Sequence, residues 1–462
     1  MKVALVARAV FPLHGYGGLE RHVYDLARAL AERDIAVTLI TRPPIEGQEW
    51  SPSSIDPRIR AAFVPYRTFP GAGRRGTTVL DRSTAYPLFG LRAGRKALEL
   101  VGRGEADIVH GLGASVLGYA RARLRARGDG TGASARQASV GSRGDGTGAS
   151  AGQASVGSRG DGSGASAGRA ATAPLVMNPQ GLEEFGATDP SRAPLKRAAY
   201  LPLRKAVLIC AAAADAVIAT DKSLEPVVLR HLGIPRDKMR TIPNALDLRG
   251  VDAMTDPART GELRRQHHLE IGERVLLSVG RLEASKGFHV LLRALGALRH
   301  HGALDARPWR WVVLGDGPYR QMLEVLVEEL GLQKRVRFLG RVPDHEMHAW
   351  HELSTLFVHP TLYEGSSLVT LEAMAHRRAV VASAAGGLPD KVRPGENGWL
   401  VAPGDPSALA AAISGALADP ARLAHYGLAG RAIVEREFSW TAAGDATVAL
   451  YRELLGSNLS HE

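Results

Sequence analysis

Two basic residues in the second half of the chain have a spacing suited to binding a nucleoside diphosphate. Arg281 and Lys286 follow an apolar run that ends at Val279. Residues just past the end of a strand can converge on one pyrophosphate group. Two cations in that position can also stabilise the negative charge that grows on a departing diphosphate. The same residues could equally be solvated loop cations, and their spacing alone does not decide between the two interpretations.

Two glutamates lie further along the chain, Glu364 in a predicted loop and Glu372 in a helix predicted to begin near Ser366 or Ser367. At a rise of ~1.5 Å per residue, Glu372 lies ~8 Å beyond the helix N-terminus. A diphosphate bound at that N-terminus would have one carboxylate near its sugar and the other near its ribose. Such a pair arises by chance about once in sixteen. It gains weight from the two cations and from a Gly-Gly-Leu-Pro turn at 386–389.

The glycines Gly15, Gly17 and Gly18 follow the first apolar run and precede a predicted helix at 19–31. They could let the backbone approach a phosphate at a helix N-terminus. A dinucleotide fingerprint does not match, because Glu20 occupies its third position and the first glycine comes too late, which disfavours a dehydrogenase. No Gly-Lys-Ser/Thr occurs, so the sequence excludes a P-loop.

Short apolar runs alternate with helical segments along most of the chain, a pattern typical of parallel sheets covered by helices. The predicted strands lie at 2–7, 36–41, 60–65, 107–110, 173–178, 216–220 and 239–242, and then at 275–279, 311–314, 336–339, 355–358, 379–382 and 399–401. The fold class is therefore α/β, with two doubly wound Rossmann-like domains facing each other across a cleft. The predicted domains are 1–243 and 244–436, followed by a last segment, 437–462.

One segment, 127–170, departs from this pattern. The sequence Arg-Gly-Asp-Gly-Thr-Gly-Ala-Ser-Ala begins at Arg127 and recurs at Arg143, and a near-copy starts at Arg159. The segment has few apolar side chains to offset the entropy of ordering it. We predict a flexible, disordered low-complexity insert in the first domain, after a helix ending near Arg125.

Composition narrows the classes of partner. With 45% hydrophobic and 23% charged residues among 462, the chain should be globular. A net charge of +11 favours anionic partners. Aromatic residues make up only 5%, and none interleaves with the basic cluster at 121–127, so nucleic acid is not expected. A second basic cluster, at 192–205, adjoins Leu195, Tyr200 and Leu201. It leaves open a peripheral contact with an anionic membrane, although a solvated basic helix face would look the same.

Cysteine and histidine usage predicts neither a disulfide nor a metal centre. Cys210 is the single cysteine, no Asp-x-Asp occurs, and the adjacent histidines at 267–268 and 300–301 point to different helix faces. The apolar run at the first residues is too short for a signal peptide, and no run reaches the ~18 to 20 residues that a bilayer requires. A cytoplasmic protein is expected, with contact at the inner face of the membrane left open.

Taken together, these motifs resemble the retaining glycosyltransferases of family 4, which have the GT-B fold, over nearly the whole chain apart from the insert. The resemblance rests on Gly17-Gly18-Leu-Glu-Arg, Ser278-Val-Gly-Arg-Leu with Lys286-Gly, Leu314-Gly-Asp-Gly-Pro, Glu364 with Glu372, and Gly386-Gly-Leu-Pro-Asp followed by Asn397-Gly. It implies transfer of a hexosyl group from a nucleoside diphosphate sugar, with retention at the anomeric carbon and without metal or cofactor. The acceptor, a glycan, lipid or small molecule, is not specified.

The resemblance also implies roles for individual residues. Arg281 and Lys286 would hold the diphosphate, Glu364 the donor sugar and Glu372 the ribose. His110, at the end of a first-domain strand, would face the donor sugar, although it could simply cap that strand. The implied catalytic residues are thus His110, Arg281, Lys286 and Glu364. The rest of the implied donor site comprises Gly17, Gly18, Gly365, Ser366, Ser367, Leu368 and Glu372.

Some positions depart from the family pattern. The usual Asn-Gly-hydrophobic-Asp is here Asn244-Ala-Leu-Asp, Asp390 replaces a frequent glutamate, and Asn178 begins a segment where a His-Gly is familiar. These changes still favour a transferase but leave the acceptor open. A sugar-nucleotide epimerase of the same shape and a non-catalytic nucleotide-sugar-binding protein are the alternatives to the transferase. The resemblance further implies that the last helix, at 440–455, crosses back to the first domain through Ala443, Ala446, Leu450 and Leu454.

Overall fold

The computed structural model describes residues 1–15, 17–44, 55–67, 79, 81–136, 173–179, 182–185, 194, 198–300 and 307–459. These residues form two wholly parallel sheets, one of seven strands and one of six. Each sheet has a hydrophobic core on both of its faces. The predicted fold class, two doubly wound Rossmann-like domains, is confirmed.

The first sheet has the strand order β3-β2-β1-β4-β5-β6-β7. Its strands are β1 (Lys2–Val6), β2 (Ala36–Thr41), β3 (Ile59–Phe63), β4 (Ile108–Leu112), β5 (Leu175–Asn178), β6 (Ala216–Ala219) and β7 (Met239–Thr241). The helices of this half are α1 (Gly18–Ala31), α2 (Tyr86–Gly102), α3 (Leu117–Arg136), α4 (Leu201–Ala213) and α5 (Glu225–Leu232).

The second sheet has the strand order β10-β9-β8-β11-β12-β13. Its strands are β8 (Arg274–Val279), β9 (Trp309–Leu314), β10 (Val336–Gly340), β11 (Leu356–His359), β12 (Val380–Ser383) and β13 (Gly398–Val401). The helices are α6 (Leu248–Ala253), α7 (Pro257–Gln266), α8 (Phe288–His300), α9 (Arg320–Glu329), α10 (Asp344–Leu353), α11 (Leu368–Ala375), α12 (Leu388–Lys391), α13 (Pro406–Ala418), α14 (Pro420–Glu437) and α15 (Trp440–Leu459).

The strands were predictable because a parallel strand that is buried on both faces reads as a continuous apolar run. All five residues of β4, for example, are buried. Each of the thirteen predicted strands is present, with ends within two residues of those expected. No helix among the described residues combines the length and the apolar character that a bilayer span needs.

The low-complexity segment begins later in the structure than its sequence suggests. Helix α3 does not end near Arg125 but continues to Arg136, through the first ten residues of the predicted insert, 127–136. One residue of the basic cluster at 121–127 is not available to a partner, because Arg123 is buried and pairs with Asp215 at 2.8 Å. The rest of the predicted insert, 137–170, lies outside the described residues, so its predicted flexibility stays a prediction.

The last helix, α15, packs against α1 of the first domain. Its Trp440, Ala443 and Tyr451 join a core that also contains residues of β1, β2 and β4. Ala446 was predicted to lie on the buried face but is exposed, and Thr447 is buried in its place. The helix is thus attached to the sheet that the chain completed some two hundred residues earlier.

A substitution at Tyr451 tests how strongly α15 is held against the first domain. Its hydroxyl lies 2.6 Å from Nδ1 of His110, and both side chains are buried. Replacing Tyr451 by Phe leaves a buried polar atom without its partner, which costs about 1–3 kcal/mol. We expect Tyr451→Phe to lower the stability of the first domain by that amount, measured by urea unfolding and by hydrogen exchange in β4.

The double variant His110→Leu/Tyr451→Phe removes both polar groups and should recover most of the loss. Unchanged exchange protection of β4 in Tyr451→Phe would show that the hydrogen bond contributes nothing to holding α15 in place.

Candidate active site

Lys286, His359 and Glu364 meet at the carboxyl edge of the second sheet. Nζ of Lys286 lies 2.7 Å and Nε2 of His359 lies 2.8 Å from Oε2 of Glu364. The three come together because β8 and β11 are neighbouring parallel strands whose following loops leave the sheet at the same edge. This edge faces the first domain, where open α/β sheets bind their ligands.

The two loops are joined by their backbones. The amide of Leu362 donates to the carbonyl of Ser285 at 2.8 Å, and the Thr361 hydroxyl donates to the same carbonyl at 3.1 Å. Gly287, with φ +67°, turns the chain so closely past Pro360 that a Cβ atom would collide with the Pro360 carbonyl. Lys286 is therefore fixed beside the loop that carries Glu364.

Glu364 is a buried carboxylate that the structure keeps ionised. Only 12% of its side chain is exposed. Burial by itself would raise its pKa, but the hydrogen bond and charge of His359 and the charge of Lys286 outweigh burial and bring the pKa to about 2. At neutral pH the group is an oriented hydrogen-bond acceptor, which is what a sugar hydroxyl needs as a partner.

Helix α11 begins beside this cluster. Ser367 caps it, accepting a hydrogen bond from the amide of Thr370. The first turn faces the first domain, since a Cβ atom on Gly18 would lie 3.3 Å from the Leu368 side chain. Gly17 is in turn the N-cap residue of α1. Two helix N-termini thus approach one point in the cleft, and both favour an anion there.

Glu372 lies in the second turn of α11. Its Oε2 is buried and has no hydrogen-bond partner among the described residues. Burial raises the pKa of Glu372 to about 7, while the nearby charges of Arg21 and Asp344 act in opposite directions, lowering and raising it. Arg21 and Asp344 themselves form an ion pair between α1 and α10. Glu372 is therefore a carboxyl group whose pKa is close to neutral pH, and one of its oxygens is free to accept a hydrogen bond.

Arg281 stands apart from this cluster. Its side chain is 66% exposed and pairs with Glu283 at 3.0 Å, rather than with the glutamates of the site. It lies two residues past the end of β8, on the same edge of the sheet as Lys286. A phosphate at α11 would have to draw the guanidinium away from Glu283.

Two family models match the chain. The model described as Glycosyl transferases group 1 matches residues 260–432, and the model described as Glycosyltransferase Family 4 matches residues 16–132. The chain belongs to family 4 of the glycosyltransferases. The family 4 model includes Gly17, Gly18 and His110, and the group 1 model includes Lys286, Glu364 and Glu372.

Curated relatives are about 30% identical to this chain over roughly half of its length. An alpha-maltose-1-phosphate synthase of Mycolicibacterium smegmatis is 31% identical over 252 residues, which cover 52% of this chain and 64% of that protein. A D-inositol 3-phosphate glycosyltransferase of Catenulispora acidiphila is 32% identical over 250 residues, 53% of this chain and 58% of that one. The matched region thus spans less than two thirds of each of these relatives.

A solved structure covers the chain more fully. The sucrose-phosphate synthase of Thermosynechococcus elongatus is 25% identical, with a TM-score of 0.68 over 99% of each chain. The starch synthase IV catalytic domain of Arabidopsis thaliana has a TM-score of 0.67 at 16% identity, over 98% of this chain and 99% of that one. The architecture of this family 4 member is the GT-B fold.

His110 does not lie where the family resemblance implied. It is buried in the middle of β4, with Nδ1 on the Tyr451 hydroxyl and its ring edge-on to that residue. Burial lowers the pKa of His110 to about 3, so the ring is neutral. The strand turns this side chain toward α1 and α15, because alternate residues of a strand face opposite layers and His110 shares a face with Ile108 and Leu112. The structure gives His110 a packing role.

His359 was missed by the sequence reasoning. It is the last residue of β11 and lies five positions before Glu364. A polar residue that ends a buried strand, just before a loop with a candidate site residue, was the signal available. Arg21 was also missed as a site residue, because its nearness to Glu372 depends on how the two domains face each other.

A small cavity of about 170 Å³ lies between the two domains beside this cluster. Its polar lining includes Asn178 and Thr220 from the strand ends of the first sheet, Asn244 from the connection, and Ser366 from the loop 364–367. Leu182, Leu224, Val227 and Val228 supply an apolar wall. Among the described residues, no group of three or more His, Cys, Asp or Glu side chains is arranged to hold a metal ion.

The raised pKa of Glu372 predicts that nucleotide binding depends on pH. A ribose hydroxyl donates best to an ionised carboxylate, and the ionised fraction of Glu372 rises as the pH increases through about 7. We expect the Kd of the preferred nucleoside diphosphate to fall about tenfold from pH 6 to pH 8, measured by calorimetry.

Glu372→Gln cannot titrate in this range and serves as the control for ionisation of the nucleotide itself. An equal pH dependence in wild type and Glu372→Gln would rule out a contribution from this carboxyl group.

Proposed function

We propose that the chain is a retaining glycosyltransferase that moves a hexosyl group from a nucleoside diphosphate sugar to a hydroxyl-bearing acceptor. The observation that carries the proposal is the Lys286–Glu364–His359 cluster, with contacts of 2.7 and 2.8 Å, beside the N-terminus of α11. The cluster pairs a cation for a phosphate with an ionised acceptor for a sugar hydroxyl. Family membership supports the same reaction class.

Lys286 and Arg281 are proposed to stabilise the diphosphate as it leaves. The Lys286 ammonium is held by Glu364 beside the N-terminus of α11, so its charge is oriented before the donor arrives. Arg281 would exchange its exposed pairing with Glu283 for a phosphate oxygen. These cations supply the positive charge that the leaving group needs, and we therefore propose turnover without a divalent metal or a cofactor.

The two glutamates have separate proposed roles. Glu364 would accept a hydrogen bond from a hydroxyl of the donor sugar, close to the carbon at which positive charge develops. Glu372 would accept from the ribose, a contact that is equally present in the ground state and the transition state. The backbone of Gly365, Ser366, Ser367 and Leu368, with Gly17 and Gly18 opposite, would enclose the diphosphate. His110 is given no part in the chemistry.

The acceptor is proposed to enter through the cavity of about 170 Å³. Its amide and hydroxyl groups, from Asn178, Thr220 and Asn244, are suited to a hydroxyl-bearing group, and its apolar wall to a sugar or polyol ring face. The acceptor as a whole, a glycan, a lipid or a small molecule, extends beyond this cavity. Nucleic acid is not proposed as a partner.

Substitution of Lys286 tests the proposed reaction directly. Losing one preorganised charge partner costs ~10²- to 10³-fold in kcat in comparable sites. We expect Lys286→Ala to lower kcat by that factor and to weaken donor binding, and Glu372→Gln to act mainly on donor KM. The measurement is release of the nucleoside diphosphate from the donor that a thermal-shift screen of UDP, GDP and ADP selects, since binding at a hundredfold excess over Kd adds about 2.7 kcal/mol.

The exposed Lys334 supplies a matched control, and Lys334→Ala should retain wild-type kcat. Activity should persist in EDTA. If Lys286→Ala and Glu364→Gln both kept kcat/KM within twofold of wild type, an epimerase or a non-catalytic nucleotide-sugar-binding protein would explain the site better.

We also propose a peripheral contact with anionic membrane through the first domain. Leu88 in α2 is 53% exposed and Leu201 in α4 is 46% exposed. The starts of these helices are adjacent, because the Ser83 hydroxyl donates to the Ala199 carbonyl at 2.8 Å. Exposed basic residues, Arg92, Arg95 and Lys205, follow on the same helices. Exposed apolar side chains beside basic residues are suited to the headgroup region of an anionic membrane.

Liposome flotation tests the contact. We expect wild type to float with vesicles that contain anionic phospholipid and to stay behind with neutral ones, and Leu88→Asp/Leu201→Asp to lose most of this binding. Val325, 50% exposed on α9 of the second domain, gives the control Val325→Asp, which should float like wild type. Equal flotation of all three proteins would exclude this surface.

A further inference from the structure

A buried ion pair joins the two domains directly behind the loop 364–367, which is called the donor loop below. Asp221 follows β6 in the first domain, and Lys391 is the last residue of α12 in the second. Nζ of Lys391 donates to Oδ1 of Asp221, and neither side chain has any exposed surface. Because both charges are withdrawn from water, removing either one would leave the other buried without a counter-charge.

Lys391 has two further hydrogen bonds, both within the second domain. Its Nζ donates to the Ser366 hydroxyl at 3.2 Å and to the Gly387 carbonyl at 3.3 Å. An ammonium has three donors, so Asp221, Ser366 and Gly387 use all of them. Ser366 lies between Glu364 and the N-cap residue of α11. The cation thus connects the first domain to the middle of the donor loop.

The glycine turn at 386–387 lies between the donor loop and Asp221. Gly386, with φ +54°, approaches the Glu364 carbonyl so closely that a Cβ atom would collide with it. The amide of Gly387 donates to the Gly365 carbonyl at 2.9 Å, and a Cβ atom on Gly387 would collide with the Asp221 carboxylate. The turn therefore packs against the donor loop on one side and against Asp221 on the other.

A second hydrogen bond crosses the domains at this place. The amide of Ser223 donates to Oδ2 of Asp390 at 3.1 Å. Asp390 adjoins Lys391 and Ser223 is two residues from Asp221, so both links act on the same short segments. The contact is local and polar, and it lies where the two domains must be close for a donor to be enclosed.

We infer that Asp221 and Lys391 are positioning residues that hold the loop 364–367 in its donor-binding arrangement by latching it to the first domain. This inference rests on the proposed function for the nature of the ligand. The latch sets the position of Glu364 and the start of α11 before the donor arrives. Without it the loop is competent in only a fraction of molecules, and the apparent affinity for the donor falls by that fraction.

Lys391→Met tests the latch, and Asp221→Asn/Lys391→Met separates positioning from stability. In the single variant a buried carboxylate has lost its partner, so we expect a lower Tm. In the double variant no charge remains buried, so most of the Tm should return. The bond to Ser366 is absent in both. We expect about a tenfold rise in nucleoside diphosphate Kd and in donor KM in both variants, corresponding to a loop competent in about one molecule in ten.

Hydrogen exchange of the segment 363–369 provides a readout that does not depend on turnover. We expect faster exchange there in both variants than in wild type and in Lys222→Met, which removes the exposed neighbouring lysine as a matched control. If the double variant recovered the Tm, the wild-type exchange and the wild-type Kd together, the pair would be structural only and the inference wrong. Exchange and Kd within twofold of wild type in Lys391→Met would also overturn it.

The proposed function can fail separately. If wild type binds a nucleoside diphosphate but transfers no sugar, the function is wrong, whereas the exchange and Kd comparison still decides the role of the latch.

Discussion

A carboxylate can stay ionised inside a protein only where cations and donors face it, and the donor loop is organised around that constraint at Glu364. Removing one partner of a buried ion pair costs about 3–5 kcal/mol. Lys286 and His359 must therefore stay in place, which requires the loops after β8 and β11 to run together. The close approach of Gly287 to Pro360 allows this, and the same loops then present an oriented ammonium to any anion bound at α11.

The strands and most residues of the candidate site were accessible from the sequence because both depend on local patterns. Buried parallel strands are apolar runs, and the residues that follow them gather at one edge of the sheet whatever the details of packing. Lys286 and Glu364 were found in this way, before the contact between them was known, and Glu372 was found from its position in the helix that follows. The same reasoning found the start of α11, since Ser367 is a good N-cap residue.

What the sequence did not reveal depends on contacts between distant segments. The family resemblance implied that His110 faces the donor sugar, but its partner in the structure, Tyr451, is more than three hundred residues away. Asp221 and Lys391 look like ordinary surface charges until the domains are brought together. The end of α3 was misplaced because its alanines and arginines are good helix formers, so the helix continues into a segment rich in glycine.

Because α15 returns to the first domain, the second domain is inserted into the chain of the first. The outgoing and returning segments are hydrogen-bonded, Leu246 to Phe438 at 2.8 Å. A ribosome adds residues from the amino end, so the whole second sheet has been synthesised before Trp440 and Tyr451 exist. Until then one face of the first sheet has α1 but lacks α15, and the buried ring of His110 lacks its partner. In this protein the domain that begins first is the one completed last.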